Sequence, residues 1–176
     1  MKKIITLFAF VSFLAVSSCT TSDDNFQPDN DTISEVFQLT NVNFGFNSED
    51  GYNIYEELNP VLFNEDVILI YRKVGSISAT NSPIWEQIPR TIYNSNGEVD
   101  YDFDFSVGHF IIYARATYNL ALTPEYLNNQ TFRIVIVPGS PSGTAKFANN
   151  VKEDYSDYNA VIKKYNIDDS NVKELN

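Results

Sequence analysis

Three aspartates, Asp100, Asp102 and Asp104, alternate with the large apolar residues Tyr101, Phe103 and Phe105. Carboxylates in such number are what a calcium site or a carboxylate-based hydrolase requires. An EF-hand loop needs Gly at its sixth position and Glu at its twelfth; counted from Asp100, those places hold Phe105 and Ile111. Strict alternation with apolar residues is instead the pattern of a strand with one wet face. The aspartates therefore read as a solvated β face, with a non-EF cation site or a patch for a cationic partner as alternatives. His109 is the single histidine and Cys19 the single cysteine. One of each excludes an internal disulfide and a His/Cys metal site, so no metal is expected. Gly-x-Ser-x-Gly is missing, because Gly139 to Gly143 carries Pro141 at its centre. Ser142-Gly143-Thr144-Ala145-Lys146 lacks the Gly-Lys-Ser/Thr ending of a phosphate loop, and no Gly-x-Gly-x-x-Gly exists. No cofactor is expected. His109 reads as a satisfied residue at a strand junction. Trp85, the single tryptophan, is a candidate platform for a sugar ring, with a buried aromatic core as the alternative.

The start of the chain carries an address. Lys2-Lys3, an apolar run from Ile4 to Val16 and the small residues Ser17-Ser18 precede Cys19. That order is an export signal, too short in its apolar part to span a bilayer comfortably. Val16-Ser17-Ser18-Cys19 resembles the bacterial lipoprotein box, in which cleavage exposes a cysteine that carries lipid. Residues 1–18 are thus expected to be a lipoprotein signal peptide, and Cys19 the lipidated residue. Lipidation would turn an otherwise exposed lone thiol into a thioether, and two or more acyl chains give stable attachment where one is marginal. Ser22-Asp23-Asp24 resembles the acidic signal by which Bacteroidota send lipoproteins to the cell surface; a plain solvated spacer is the alternative. Residues 19–34 have the polar, turn-rich composition of a disordered tether. Within them Asp31-Thr32-Ile33 looks like a Bacteroidota O-glycosylation site, which marks Thr32. The expected location is the outer membrane with the domain exposed at the cell surface, the periplasmic leaflet being the alternative.

The whole chain carries 12 Lys and Arg, 23 Asp and Glu, and a formal charge of −11. Loss of residues 1–18 takes Lys2 and Lys3, leaving ten basic residues against 23 acidic ones and a charge of −13. Such a molecule is repelled by nucleic acid and by anionic lipid, so no nucleic-acid partner is expected. About 140 residues follow the tether, enough to bury one core.

Those residues must supply the elements that position any site. Between 35 and 138, period-two patterns recur between turn signals. Phe37 and Leu39 share one phase and Val42, Phe44 and Phe46 the other, with a bulge expected near Thr40-Asn41. Asp50-Gly51 and Asn96-Gly97 signal hairpins. Val67 to Tyr71 is apolar on both faces, as in a central strand. Pro89, inside Ile84 to Ile92, argues for an edge or a kink. Strands are expected again over Phe110–Tyr118 and around Phe132–Ile136. Thr123-Pro124-Glu125 reads as the start of a short helical turn capped by Thr123. The sum is a mainly β fold, an antiparallel β-sandwich of about seven strands, Ig-like in general architecture; a small closed barrel is the alternative. Residues 139–176 form a C-terminal tail. Asp154 is the expected N-cap of a short α-helix that packs Tyr155, Tyr158, Val161, Ile162 and Tyr165 on the sandwich.

The layout resembles short flavobacterial (Bacteroidota) lipoproteins of unknown function, which join an anchor cysteine, a variable tether and one β domain. Ile84-Trp85-Glu86-Gln87-Ile88-Pro89, the Asp-rich strand and the ending Asn129 to Pro138 carry the likeness over residues 36–138. The collagen-like tether of some members is missing here. The resemblance implies no known activity. Together these readings point to a lipid-anchored envelope protein, a non-enzymatic binding or scaffold module for a glycan or an envelope protein. A carboxylate-based hydrolase, such as one acting on glycans, is the competing class.

Overall fold

A computed structural model of the protein describes residues 34–139 and 154–175. Residues 1–18, expected to be a signal peptide, and Cys19, Ser22, Asp23, Asp24 and Thr32 lie outside the described residues. Among the described residues, ten strands and one α-helix run in the order β1 Glu35–Val42, β2 Gly45–Asn47, β3 Gly51–Glu57, β4 Val67–Ser76, β5 Pro83–Ile88, β6 Arg90–Asn94, β7 Gly97–Phe105, β8 His109–Ala116, β9 Gln130–Val137, α1 Tyr158–Lys164 and β10 Lys173–Glu174. Two 3-10 turns, Leu120–Leu122 and Pro124–Tyr126, lie between β8 and β9. The first sheet has the order β10-β1-β9-β4-β5 and the second β2-β3-β8-β7-β6. All pairings are antiparallel except β1 with β10.

The alternating side chains explain the layers. Leu39, Ile70, Ile88, Phe132 and Ile134 of the first sheet meet Ile54, Val99, Tyr101, Phe110 and Ile112 of the second in the main core. β4 and β9 are apolar on both faces because a second cluster lies behind them. There Tyr71, Val135 and Val137 are covered by Tyr158, Val161 and Ile167 of the tail. The protein is therefore a β-sandwich with a helical segment on one outer face.

Several local expectations are met. The register slips between Leu39 and Val42, with Asn41 at φ 56°. Gly51 sits at φ +75° after a turn. Pro89, in a cis peptide with Ile88, stands where the chain passes from β5 to β6, each the edge of a different sheet. No ladder bond is asked of it there.

Others are corrected. Among the described residues the strands number ten, against about seven expected. Pro89 divides one expected strand into two, and β2 and β10, of three and two residues, are too short to show a period. In the β6–β7 hairpin Asn94 pairs with Gly97, so Ser95-Asn96 make the turn rather than Asn96-Gly97. Gly97 opens β7 at φ +138°, where an added Cβ would collide with the Thr117 hydroxyl. Thr123 makes no side-chain cap; its hydroxyl bonds the Leu120 carbonyl and the Tyr118 hydroxyl. The N-cap of α1 is Asp157, which accepts from the amides of Asn159 and Ala160, whereas Asp154 holds a turn through the Ser156 amide. Asn166, at φ 51°, ends the helix, and the Ile167 amide returns to the Ile162 carbonyl at 3.0 Å. That closure is the left-handed C-terminal motif, with Ile167 buried as its apolar contact.

Candidate functional site

The two outer faces of the sandwich differ, and the difference begins at Arg133. This residue lies on β9 between Phe132 and Ile134, and its side chain is only 14% exposed. A buried guanidinium needs partners on all its donors. Its Nη1 donates to the Tyr158 hydroxyl and, at 2.8 Å, to Asp169; its Nε donates to Gln38 Oε1 at 3.1 Å. The plane lies 4.8 Å from the Trp85 ring centre and 5.1 Å from that of Tyr158. The Tyr158 hydroxyl donates to Asp169 in turn. Nearby, Gln38 and Thr40 both donate to Glu174, and Tyr71 donates to the Tyr155 carbonyl. Burial raises the hydroxyl pKa of Tyr71 and Tyr158 well above the usual phenol range. These contacts fasten the tail over the first sheet. Trp85 is consequently half-buried, packed between Arg133 and Tyr158 at a ring distance of 5.7 Å from the latter.

The outer face of the second sheet carries no such cover among the described residues. Register places Asn53, Tyr113 and Asp102 in one row, Tyr55, Ile111 and Asp104 in the next, and Arg115, Asp100 and Thr91 in a third. The three aspartates thus share a face, and each has its own neighbour. Thr91 donates to Asp100 at 2.5 Å, Arg115 lies 3.9 Å from Asp102, and Tyr113 donates to Asp104 at 2.8 Å. Successive residues on one strand face are about 7 Å apart, so these carboxylates do not converge on one ion. Among the described residues no group of three His, Cys, Asp or Glu could hold a metal. Arg115 covers the Tyr113 ring at 4.5 Å. Burial first, then the Asp104 carboxylate, push the Tyr113 hydroxyl up to about 12. Tyr55, exposed, stacks on His109 at 5.2 Å, and His109 Nδ1 meets the Ser106 hydroxyl at 2.9 Å. His109 stands at the first position of β8, the strand junction expected for it.

Two further carboxylates stand apart. Glu56 faces inward with Phe110, its register partner, and burial raises its pKa. Asp168 lines an open cleft of about 320 Å³ between the start of β1 and the tail, together with Ser34, Glu35, Asn166 and Lys173. The hydroxyl and amide of Ser170 hold Asp168 below its usual pKa, so it stays ionised and is unsuited to donate a proton.

Sequence reasoning placed the aspartates on one face but missed the Arg133–Tyr158–Asp169 clamp. The available signal was a lone charge inside the apolar run Phe132 to Val137. Among the described residues no helix is long and apolar enough to cross a membrane. Comparison of the chain with protein-family models, curated proteins and solved structures finds no match.

Proposed function

We propose that the chain is a lipid-anchored envelope protein, exported by residues 1–18 and fastened at Cys19, whose sandwich is a non-enzymatic glycan-binding module. The observation that carries this reading is the asymmetry of the two faces. The tail occupies the first sheet, while the second offers the exposed Tyr55 ring beside rows of hydrogen-bonding side chains. An aromatic ring presents an apolar surface to the C–H groups of a sugar, and carboxylate, amide and guanidinium groups bond its hydroxyls. Asp104 in the row of Tyr55, Asn53 and Asp102 in the row beside it and Arg115 one row further supply those groups on the same face. An envelope protein is the other partner that this acidic face suits. Hydrolysis is disfavoured, because it needs a protonated and an ionised carboxyl flanking one bond. Glu56, the carboxyl raised by burial, faces away from the row of aspartates.

A glycan array probed with the mature chain tests the reading. Binding is expected to fall at least about tenfold in Tyr55→Ala, equivalent to about 1.4 kcal/mol, and to be unchanged in Leu122→Ala. Retention of no glycan, or indifference to Tyr55→Ala, would remove glycan as the ligand. Release of reducing sugar would restore the hydrolase.

A further inference from the structure

We propose that the pole of the sandwich at which β1 begins docks on a lipid surface of low negative charge through Val61, Phe63, Phe105 and Val107. This inference rests on the lipid-anchor reading above and adds a second membrane contact to it.

The pole is built from two joined connections. The Leu58 amide bonds the Gly108 carbonyl at 2.9 Å and the Leu62 amide bonds the Val107 carbonyl at 2.8 Å. Asp66 braces the longer connection, its carboxylate accepting from the amides of Phe63 and Gly139. Leu62 turns inward and is buried, whereas its neighbours Val61 and Phe63 are 63% and 51% exposed. Phe105 and Val107 are exposed beside them. Folding gains little from apolar side chains held outward on a braced loop, so an outside contact is the better account of them.

The occupant is argued from where the chain enters. Glu35 pairs with Ile136, which pairs with Ile68, so β1 begins beside the β4 end of the same connection. Residues 20–34 reach at most on the order of 50 Å when fully extended. A lipid on Cys19 therefore confines this pole to the neighbourhood of the bilayer. Tethering makes the second contact intramolecular, so a few apolar side chains suffice. Charge narrows the surface further. Exposed Glu57, Glu65 and Asp104 flank these residues along the chain, and the connections 58–66 and 106–108 contain no Lys or Arg. Anionic lipid is thus repelled, and a second copy would set acidic rim against acidic rim.

Cys19, as the single thiol, allows the two ideas to be separated. The mature chain, made without residues 1–18, is coupled through Cys19 to a maleimide lipid in phosphatidylcholine vesicles. Hydrogen exchange is then read over residues 58–66 and 105–109. Exchange is expected to slow at least about fivefold relative to the uncoupled chain, and to recover in Phe63→Ser/Val107→Ser. Vesicles rich in phosphatidylglycerol at low salt should give less protection. Both substitutions are at exposed positions, and an unchanged melting temperature is the control for folding. Equal exchange with and without vesicles would overturn the proposal, as would protection that depends on protein concentration without lipid, which would mean self-association. The native anchor is examined independently by the mass of Cys19 in protein from its own cells; an unmodified cysteine there ends the anchor reading whatever the vesicles show.

Discussion

Glu56 shows how one side chain can work against its surroundings. Its strand neighbours oblige it to face inward with Phe110, and removal from water disfavours its charged form. A carboxyl whose pKa is raised by folding binds protons more readily in the folded state. Its contribution is fully present below the ordinary value of 4.5 and is lost as pH rises through the folded value. Glu56→Gln removes the ionisation and keeps the shape. The variant is expected to melt higher than the parent at pH 7, and the gap should close as pH falls below 4.5. Thermal denaturation at several pH values measures both. Glu56 was not legible as inward-facing, because Tyr52-Asn53-Ile54-Tyr55-Glu56 alternates without telling which phase meets the core. Asp100, Asp102 and Asp104 were legible, since Tyr101, Phe103 and Phe105 between them left no other phase for the wet side.

At the level of elements, the helical tail turns on its first residue. Asp157 bonds two of the amides that α1 leaves open at its start. Asp157→Ala should cost about 1 kcal/mol, whereas Asp154→Ala, which takes the acceptor from the Ser156 amide, leaves the amides of Asn159 and Ala160 bonded. Faster hydrogen exchange of the amides of residues 159–163 in the first variant alone would establish the difference. The apolar stripe of this helix was readable from its spacing, but the choice between two aspartates three positions apart was not. Either can start a helix, and only the docking of Tyr158 and Val161 on Tyr71 and Val135 selects the later one. β10 was invisible for a related reason. Two residues have no period, and their place is fixed by Glu174 meeting Gln38 and Thr40.

For the molecule as a whole, tyrosine hydroxyls are a shared vulnerability to alkali. Tyr71 donates to Tyr155, Tyr101 to the Tyr126 carbonyl, Tyr113 to Asp104 and Tyr158 to Asp169. A phenolate cannot donate, and burial resists its formation. Burial pushes Tyr101 up to about 12, as it does Tyr113, from an ordinary 10. The folded state therefore holds protons that the unfolded chain has lost between these values, and stability falls as pH rises from 10 towards 12. The melting temperature is expected to drop across that window. Tyrosinate absorbance at 295 nm should show buried hydroxyls titrating only as the protein unfolds, and a single early titration of all tyrosines would contradict this. Sequence alone supplied two layers and a covering tail. It did not supply the order of strands, because apolar faces are interchangeable until cross-strand neighbours such as Arg133 and Gln38 choose one another.

The position of β1 has a consequence for assembly. Both of its partners, β9 and β10, come late: Gln38 bonds residues 95 and 136 places further along. Synthesis delivers β1 ahead of both partners, yet its backbone has nothing to pair with until β9, which begins at Gln130, has followed. The second sheet needs one long-range pairing, β3 with β8, beside its local hairpins, whereas the first needs three, β1 with β9, β4 with β9 and β1 with β10. Of the described strands, the first in the chain is thus among the last to find its place.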